Sequence, residues 1–146
     1  GDYLRSGAIA KFSPIMEKVV EFASKGGFVF GVCNGFQILC ESGLLPGTLL
    51  HNTNQKFICK NQYIKADNND TAMTMSIPKN KPLNIPIAHG EGRYYAPEDV
   101  LKQLHQKGKN VFGMMPHPER AADKELGNTD GLYILQSIID YLEDRK

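Results

Sequence analysis

No stretch of this chain approaches the length of a membrane span, and no charged-then-apolar leader opens it. Basic residues are not massed either. The formal charge is +1 and no run of Lys or Arg marks one side, so neither a nucleic-acid partner nor a membrane surface is expected. Cysteine is scarce: three residues, without paired spacing, argue against a disulfide framework and for a reducing compartment, so a cytoplasmic protein is expected. The phosphate-cradling G-x-x-x-x-G-K-[ST] loop is missing, as are the C-x-x-C and H-E-x-x-H spacings of metal sites. This chain is therefore expected to hold no cofactor and no metal. Internal repeats, low-complexity tracts and linkers are also lacking, and 146 residues are enough for one domain with a real core. The first residues, Gly1-Asp2-Tyr3-Leu4-Arg5, carry no initiator methionine and look loop-like, as in a piece that starts partway through a domain.

What is present reads as helices interleaved with apolar strands. Ser13-Pro14 has the form of a helix start, and Ile15, Met16, Val19, Val20, Phe22 and Ala23 give an apolar face that ends at Gly26-Gly27. Phe28 to Val32 is a short apolar run suited to a central parallel strand. A helix follows and ends at Gly43, before a turn at Pro46-Gly47. Residues 56–65 and 71–77, separated by Asp67-Asn68-Asn69-Asp70, are expected to form an antiparallel strand pair. Leu83, Ile85 and Ile87 alternate into Ala88-His89-Gly90-Glu91-Gly92. Pro97 opens a helix with Val100, Leu101 and Leu104 inward and Gly108 as its stop. Val111 to Met115 is a second buried strand. A last helix, from about Asp130, carries Leu132, Leu135, Ile138, Ile139 and Leu142 on one side. The expected class is α/β: a sheet covered by helices on both faces, with an antiparallel insertion.

Gly31-Val32-Cys33-Asn34-Gly35 lies between the first apolar strand and its helix. G-x-C-x-G at that junction has the layout of a nucleophile elbow, a sharp turn that lifts one side chain above the sheet edge. Flanking glycines leave room, since a Cβ at either place would crowd the turn. The N–H groups of the helix start favour a thiolate at Cys33. Cys40 and Cys59 lack this setting and read as small buried hydrophobes.

A cysteine nucleophile needs a base. Of the four histidines, His105 falls in the polar part of a short helix and His51 reads as structural. His117 directly follows a buried strand, between two prolines that suppress helix. Glu119, two residues on, can return to the same side and bind the far imidazole nitrogen, which makes a Cys-His-Glu triad.

Gly31-Val32-Cys33-Asn34-Gly35-Phe36-Gln37 together with Pro116-His117-Pro118-Glu119-Arg120 resembles the class I (triad-type) glutamine amidotransferases. Gly1-Asp2-Tyr3-Leu4-Arg5, Leu44-Leu45-Pro46-Gly47, Leu50-His51-Asn52, Pro86-Ile87-Ala88-His89-Gly90-Glu91-Gly92-Arg93 and Gly113-Met114-Met115 are similar, among these, to the glutaminase subunits of phosphoribosylformylglycinamidine synthase. The resemblance implies a flavodoxin-like, mostly parallel fold whose first strands are missing. Residues 1–146 would then form about the C-terminal two-thirds of one amidotransferase domain.

It implies L-glutamine as substrate, with Cys33 as nucleophile, His117 as acid and base, and Glu119 as its aligning partner. The Asn34 N–H would hold the oxyanion, and Gln37, on the Cys33 face by i, i+4 spacing, would contact the substrate glutamine. Gly90 would allow a close backbone approach to substrate, while His89 could equally be a structural hydrogen-bond partner. The implied partners are a large synthetase subunit, which would carry ATP and Mg, and a small accessory subunit. Two alternatives stand beside this reading: the glutaminase domain of another amidotransferase, and a catalytically silent partner-binding module.

Overall fold

The computed structural model describes residues 4–104 and 109–144; Gly1 to Tyr3, His105 and Gly108 lie outside that range. The chain divides into two compact units, Gly1–Ile58 with Ala88–Met115, and Cys59–Ile87 with Pro116–Lys146.

In the first unit, helices α1 (Leu4–Ala10) and α2 (Pro14–Ser24) precede strand β1 (Val29–Val32) and helix α3 (Asn34–Glu41). Pro14 begins α2 because proline lacks the N–H that a first turn leaves unbonded, and Gly26 at φ +85° ends it. Strand β2 (Thr48–Leu50) follows, and later β5 (Arg93–Tyr95), α4 (Glu98–Leu104) and β6 (Val111–Met114). β1 and β6 pair in parallel, Val29 opposite Val111 and Val32 opposite Met114, so both strands reach their carboxyl ends in register. β2 and β5 pair antiparallel, Thr48 opposite Tyr95 and Leu50 opposite Arg93. Cys33, Leu49 and Met115 form a buried cluster with Val32, Phe36 and Tyr94 against it, the last two rings stacked at 5.5 Å between centroids. Burying a leucine such as Leu49 is worth about 1.5–3 kcal/mol.

In the second unit, β3 (Ile58–Lys65, from Cys59 on) pairs with β4 (Pro82–His89, as far as Ile87). Leu83, Ile85 and Ile87 are buried in alternation, the period-two pattern that the sequence shows. Two 3-10 turns, Pro118–Ala121 and Lys124–Leu126, lead to α5 (Leu132–Glu143).

The class is α/β, as expected, with one parallel pair and antiparallel pairing beside it. Several local expectations are overturned. Residues 71–77 form turns rather than a strand, and the partner of β3 is β4. Local polar bonding outcompetes the ladder there. Thr71 and Thr74 share a 2.8 Å hydroxyl bond, the Thr74 and Met75 N–H groups donate to the Thr71 carbonyl, and the Asn69 amide donates to the carbonyls of Thr74 and Ile77.

In α5 the buried positions are Ile134 and Ser137, whereas Leu132, Ile139 and Leu142 are exposed. Ser137 is drawn inward because its hydroxyl donates to the Tyr133 carbonyl and accepts from the Ser76 N–H. α4 buries none of its residues, and Leu101 and Leu104 are exposed. On α2 only Met16 and Ala23 are buried, with Ile15, Val20 and Phe22 exposed.

Candidate active site

Cys33 stands between the end of β1 and the start of α3 with φ 51° and ψ −105°. A side chain at positive φ costs on the order of 1–3 kcal/mol, and surrounding structure must hold it there. The hold is visible: the Cys33 N–H donates to the Met114 carbonyl at 2.8 Å, and its own carbonyl accepts from the Gln37 N–H. Gly31 is required by the turn, because a Cβ on it would lie 2.6 Å from the Gly35 carbonyl carbon and 2.7 Å from a Leu39 methyl. Gly35 is not: a Cβ there meets nothing within 4 Å, which corrects the expectation of crowding on both sides. Nor does the elbow open its thiol to solvent. Cys33 is 8 % exposed, packed by Leu49 and Met115, with its Sγ 3.9 Å from the Ala88 carbonyl it donates to.

Gln37 lies one turn along α3 and is 1 % exposed, so it is not a surface glutamine. Its amide donates to the Glu91 carbonyl at 3.3 Å. Asn34 opens α3, where N–H groups lack helical acceptors, and its side-chain oxygen is buried without a hydrogen-bond partner among the described residues. Gly90 accepts from the Asn52 N–H at 2.8 Å through its carbonyl. His89 is buried with Nδ1 3.0 Å from Asn52 Oδ1, a structural hydrogen bond of the kind weighed for it. His51 is exposed, 3.4 Å from a Glu91 carboxylate oxygen. Asn52 and Glu91, both buried polar residues, were not singled out as site residues from sequence. The only sequence signal for Asn52 was its place in Leu50-His51-Asn52, a block with no spacing rule attached.

His117 and Glu119 belong to the second unit. The Pro116–Pro118 frame keeps His117 out of helix, with its N–H donating to the Pro86 carbonyl at 2.8 Å, and Pro118 starts a 3-10 turn that brings Glu119 back. His117 Nδ1 lies 2.6 Å from Glu119 Oε1. A carboxylate only accepts, so His117 donates from Nδ1, and a neutral ring then carries its lone pair on Nε2. That Nε2 is buried and has no hydrogen-bond partner among the described residues. Arg120 Nε stands 3.8 Å from the same Glu119 oxygen.

The other cysteines divide. Cys40 is half-buried, and burial, with the Glu41 carboxylate beside it, pushes its thiol up to about 11. Cys59 is exposed on β3 rather than buried as expected, since its position in the alternation faces outward. Among the described residues no group of three His, Cys, Asp or Glu could hold a metal ion, and no helix is long and apolar enough to cross a membrane.

Comparison with known proteins agrees with this chemistry. Residues 1–112 match the family described as the CobB/CobQ-like glutamine amidotransferase domain. Phosphoribosylformylglycinamidine synthase subunit PurQ of Salinibacter ruber is 42 % identical over 175 residues, covering 97 % of this chain and 74 % of that protein. The subunit of the same name from Campylobacter jejuni is 46 % identical over 163 residues, covering 95 % of this chain and 73 % of its own length. A chain in the structure of PurLQS from Thermotoga maritima matches with a TM-score of 0.87 at 42 % identity, covering 97 % of this chain and 74 % of that one. The chain therefore belongs to the CobB/CobQ-like glutamine amidotransferase family, among the PurQ subunits of phosphoribosylformylglycinamidine synthase.

Proposed function

We propose that this chain is the glutaminase subunit of phosphoribosylformylglycinamidine synthase, with Cys33, His117 and Glu119 as its working triad. His117 Nε2 takes the Cys33 thiol proton as the sulfur attacks the side-chain amide carbon of L-glutamine. The oxyanion that forms is met by the Asn34 N–H at the start of α3, a donor of the kind whose loss costs on the order of 10²–10³ in rate. His117 protonates the departing amine, the C–N bond breaks, and ammonia leaves a γ-glutamyl thioester on Cys33. His117 then takes a proton from water, which attacks the thioester and releases glutamate and the thiol. Glu119 keeps the imidazole in the Nδ1–H tautomer and stabilises its charged form. Gln37 contacts the substrate glutamine and Gly90 lets it approach the backbone closely.

Ammonia passes to a large synthetase subunit for the ATP-dependent conversion of formylglycinamide ribonucleotide to its amidine, assisted by a small third subunit. ATP and Mg belong to the synthetase, and this chain itself needs no cofactor. Residues 1–146 belong to one amidotransferase domain, which works in the cytoplasm.

One observation carries the triad: the His117 ring, with one nitrogen bound to a carboxylate and the other buried with no hydrogen-bond partner among the described residues. That is the form of a base whose second nitrogen is kept for a reacting proton. The test is labelling of the assembled complex with a glutamine-like electrophile, followed by mass mapping. Modification is expected at Cys33. Modification of Cys40 or Cys59 with Cys33 intact would overturn the assignment.

A further inference from the structure

The Asn52 side chain takes part in four hydrogen bonds. Its amide nitrogen donates to the carbonyls of Lys56 and His89, both at 2.8 Å. Its amide oxygen must then be the acceptor, and it receives the Gly92 N–H at 3.1 Å and His89 Nδ1–H at 3.0 Å. Its backbone N–H adds a bond to the Gly90 carbonyl at 2.8 Å. Residues 89, 90 and 92 are therefore all pinned to one buried asparagine, 5 % exposed. Gly92 suits this arrangement, because a Cβ on it would lie 2.1 Å from His89 Nδ1 and drive the ring off.

The pinned loop touches α3 and the elbow through residues next to those anchors. The Ala88 carbonyl accepts from the Cys33 thiol, and the Glu91 carbonyl accepts from the Gln37 amide. We infer that Asn52 is a positioning residue for glutamine cleavage, clamping the loop Ala88–Gly92 so that its carbonyls hold the Cys33 sulfur and the Gln37 amide in register. The inference rests on the reading in which Cys33 attacks glutamine and Gln37 contacts it. Asn52 acts through the loop and touches no reacting atom.

The test uses the complete synthase complex with Asn52→Ala and Asn52→Asp in this chain. A displacement of about 1 Å in a positioning shell costs on the order of 10²-fold. Glutamine-dependent kcat/KM is expected to fall by that order, mostly through KM, and labelling of Cys33 by the glutamine-like electrophile is expected to slow in parallel. Alkylation of Cys33 by iodoacetamide, which needs no substrate contacts, should change far less than electrophile labelling, and synthesis from free ammonia should be unchanged. Asn52→Asp should be as impaired as Asn52→Ala, because it keeps the accepting oxygen but sets a second acceptor against the Lys56 and His89 carbonyls. If Asn52→Ala loses its folded transition, Asn52→Ser, which retains a donor and an acceptor, carries the same measurements.

Wild-type kcat/KM and wild-type electrophile labelling in a folded variant would overturn the inference. So would equal slowing of electrophile and iodoacetamide, which marks general collapse rather than lost substrate alignment. Failure of the underlying reading looks different: the wild-type Cys33 itself stays unlabelled, and the inference goes with it.

Discussion

At the residue scale, the backbone of Cys33 and the chemistry of its side chain make opposite demands. φ 51° with ψ −105° suits glycine, whereas the proposed cleavage needs a sulfur. Cys33→Gly is therefore expected to abolish glutamine-dependent synthesis while leaving Tm unchanged or higher, measured by calorimetry on the same preparation. A drop of several degrees would show that packing of the sulfur against Leu49 and Met115 outweighs the strain. Cys40 gives a second prediction, with a definite sign. Burial holds its thiol at about 11, above the roughly 8.5 of a free cysteine, so the fold favours the protonated form. The stability tied to that group is intact below the unfolded value and is lost as pH rises toward the folded one. Thermal unfolding should therefore fall more steeply over this alkaline window in the wild type than in Cys40→Ala. Parallel slopes would remove Cys40 from the account.

At the element scale, the strand-to-helix junction depends on one close approach. Gly31→Ala sets a methyl against the Gly35 backbone and Leu39, so α3 must shift away from β1. Overpacking of this kind costs about 1–3 kcal/mol, to be read from the urea midpoint, and glutamine use should fall with it because α3 carries Gln37, the proposed glutamine contact. Gly35→Ala meets open space and is the matched control.

The junction was legible in sequence because glycine, a buried strand and a helix start fall together within five residues. The His117 turn was legible for a similar reason, as two prolines restrict the backbone of a short segment. The facing of the outer helices was not. The apolar stripe of α5 points to Leu132 and Ile139, yet Ser137 is turned inward beside Ile134, with a bond to Ser76 sixty-one positions away in the chain. Nothing local encodes such a partner. The same holds for Asn52, whose partners at 89 and 92 lie across the chain, and for residues 71–77, where strand propensity lost to threonine hydroxyls.

At the scale of the whole molecule, Cys33 lies in the first compact unit and His117 with Glu119 in the second. In sequence they follow β1 and β6, strands paired in parallel with their carboxyl ends in register. In the complete complex, His117→Ala should lower glutamine-dependent synthesis by at least the 10²–10⁴-fold typical of an acid–base group, while synthesis from ammonia proceeds at the wild-type rate. Equal loss with both nitrogen sources would assign His117 to assembly instead. The α/β class and the family were legible over the full chain because the chemistry-bearing residues cluster in short punctuated blocks. The division into two units was not, because it depends on how the long strand β4 is shared between them.

The elbow also has a consequence in handedness. With both signs reversed, the Cys33 dihedrals fall at the edge of the ordinary extended region, so the mirror-image amino acid would rest there relaxed. Its sulfur, however, would leave the α-carbon in another direction, away from the Ala88 carbonyl. The ribosome's L-cysteine is the isomer that the bend tolerates least, and the only one of the two whose thiol it aims there.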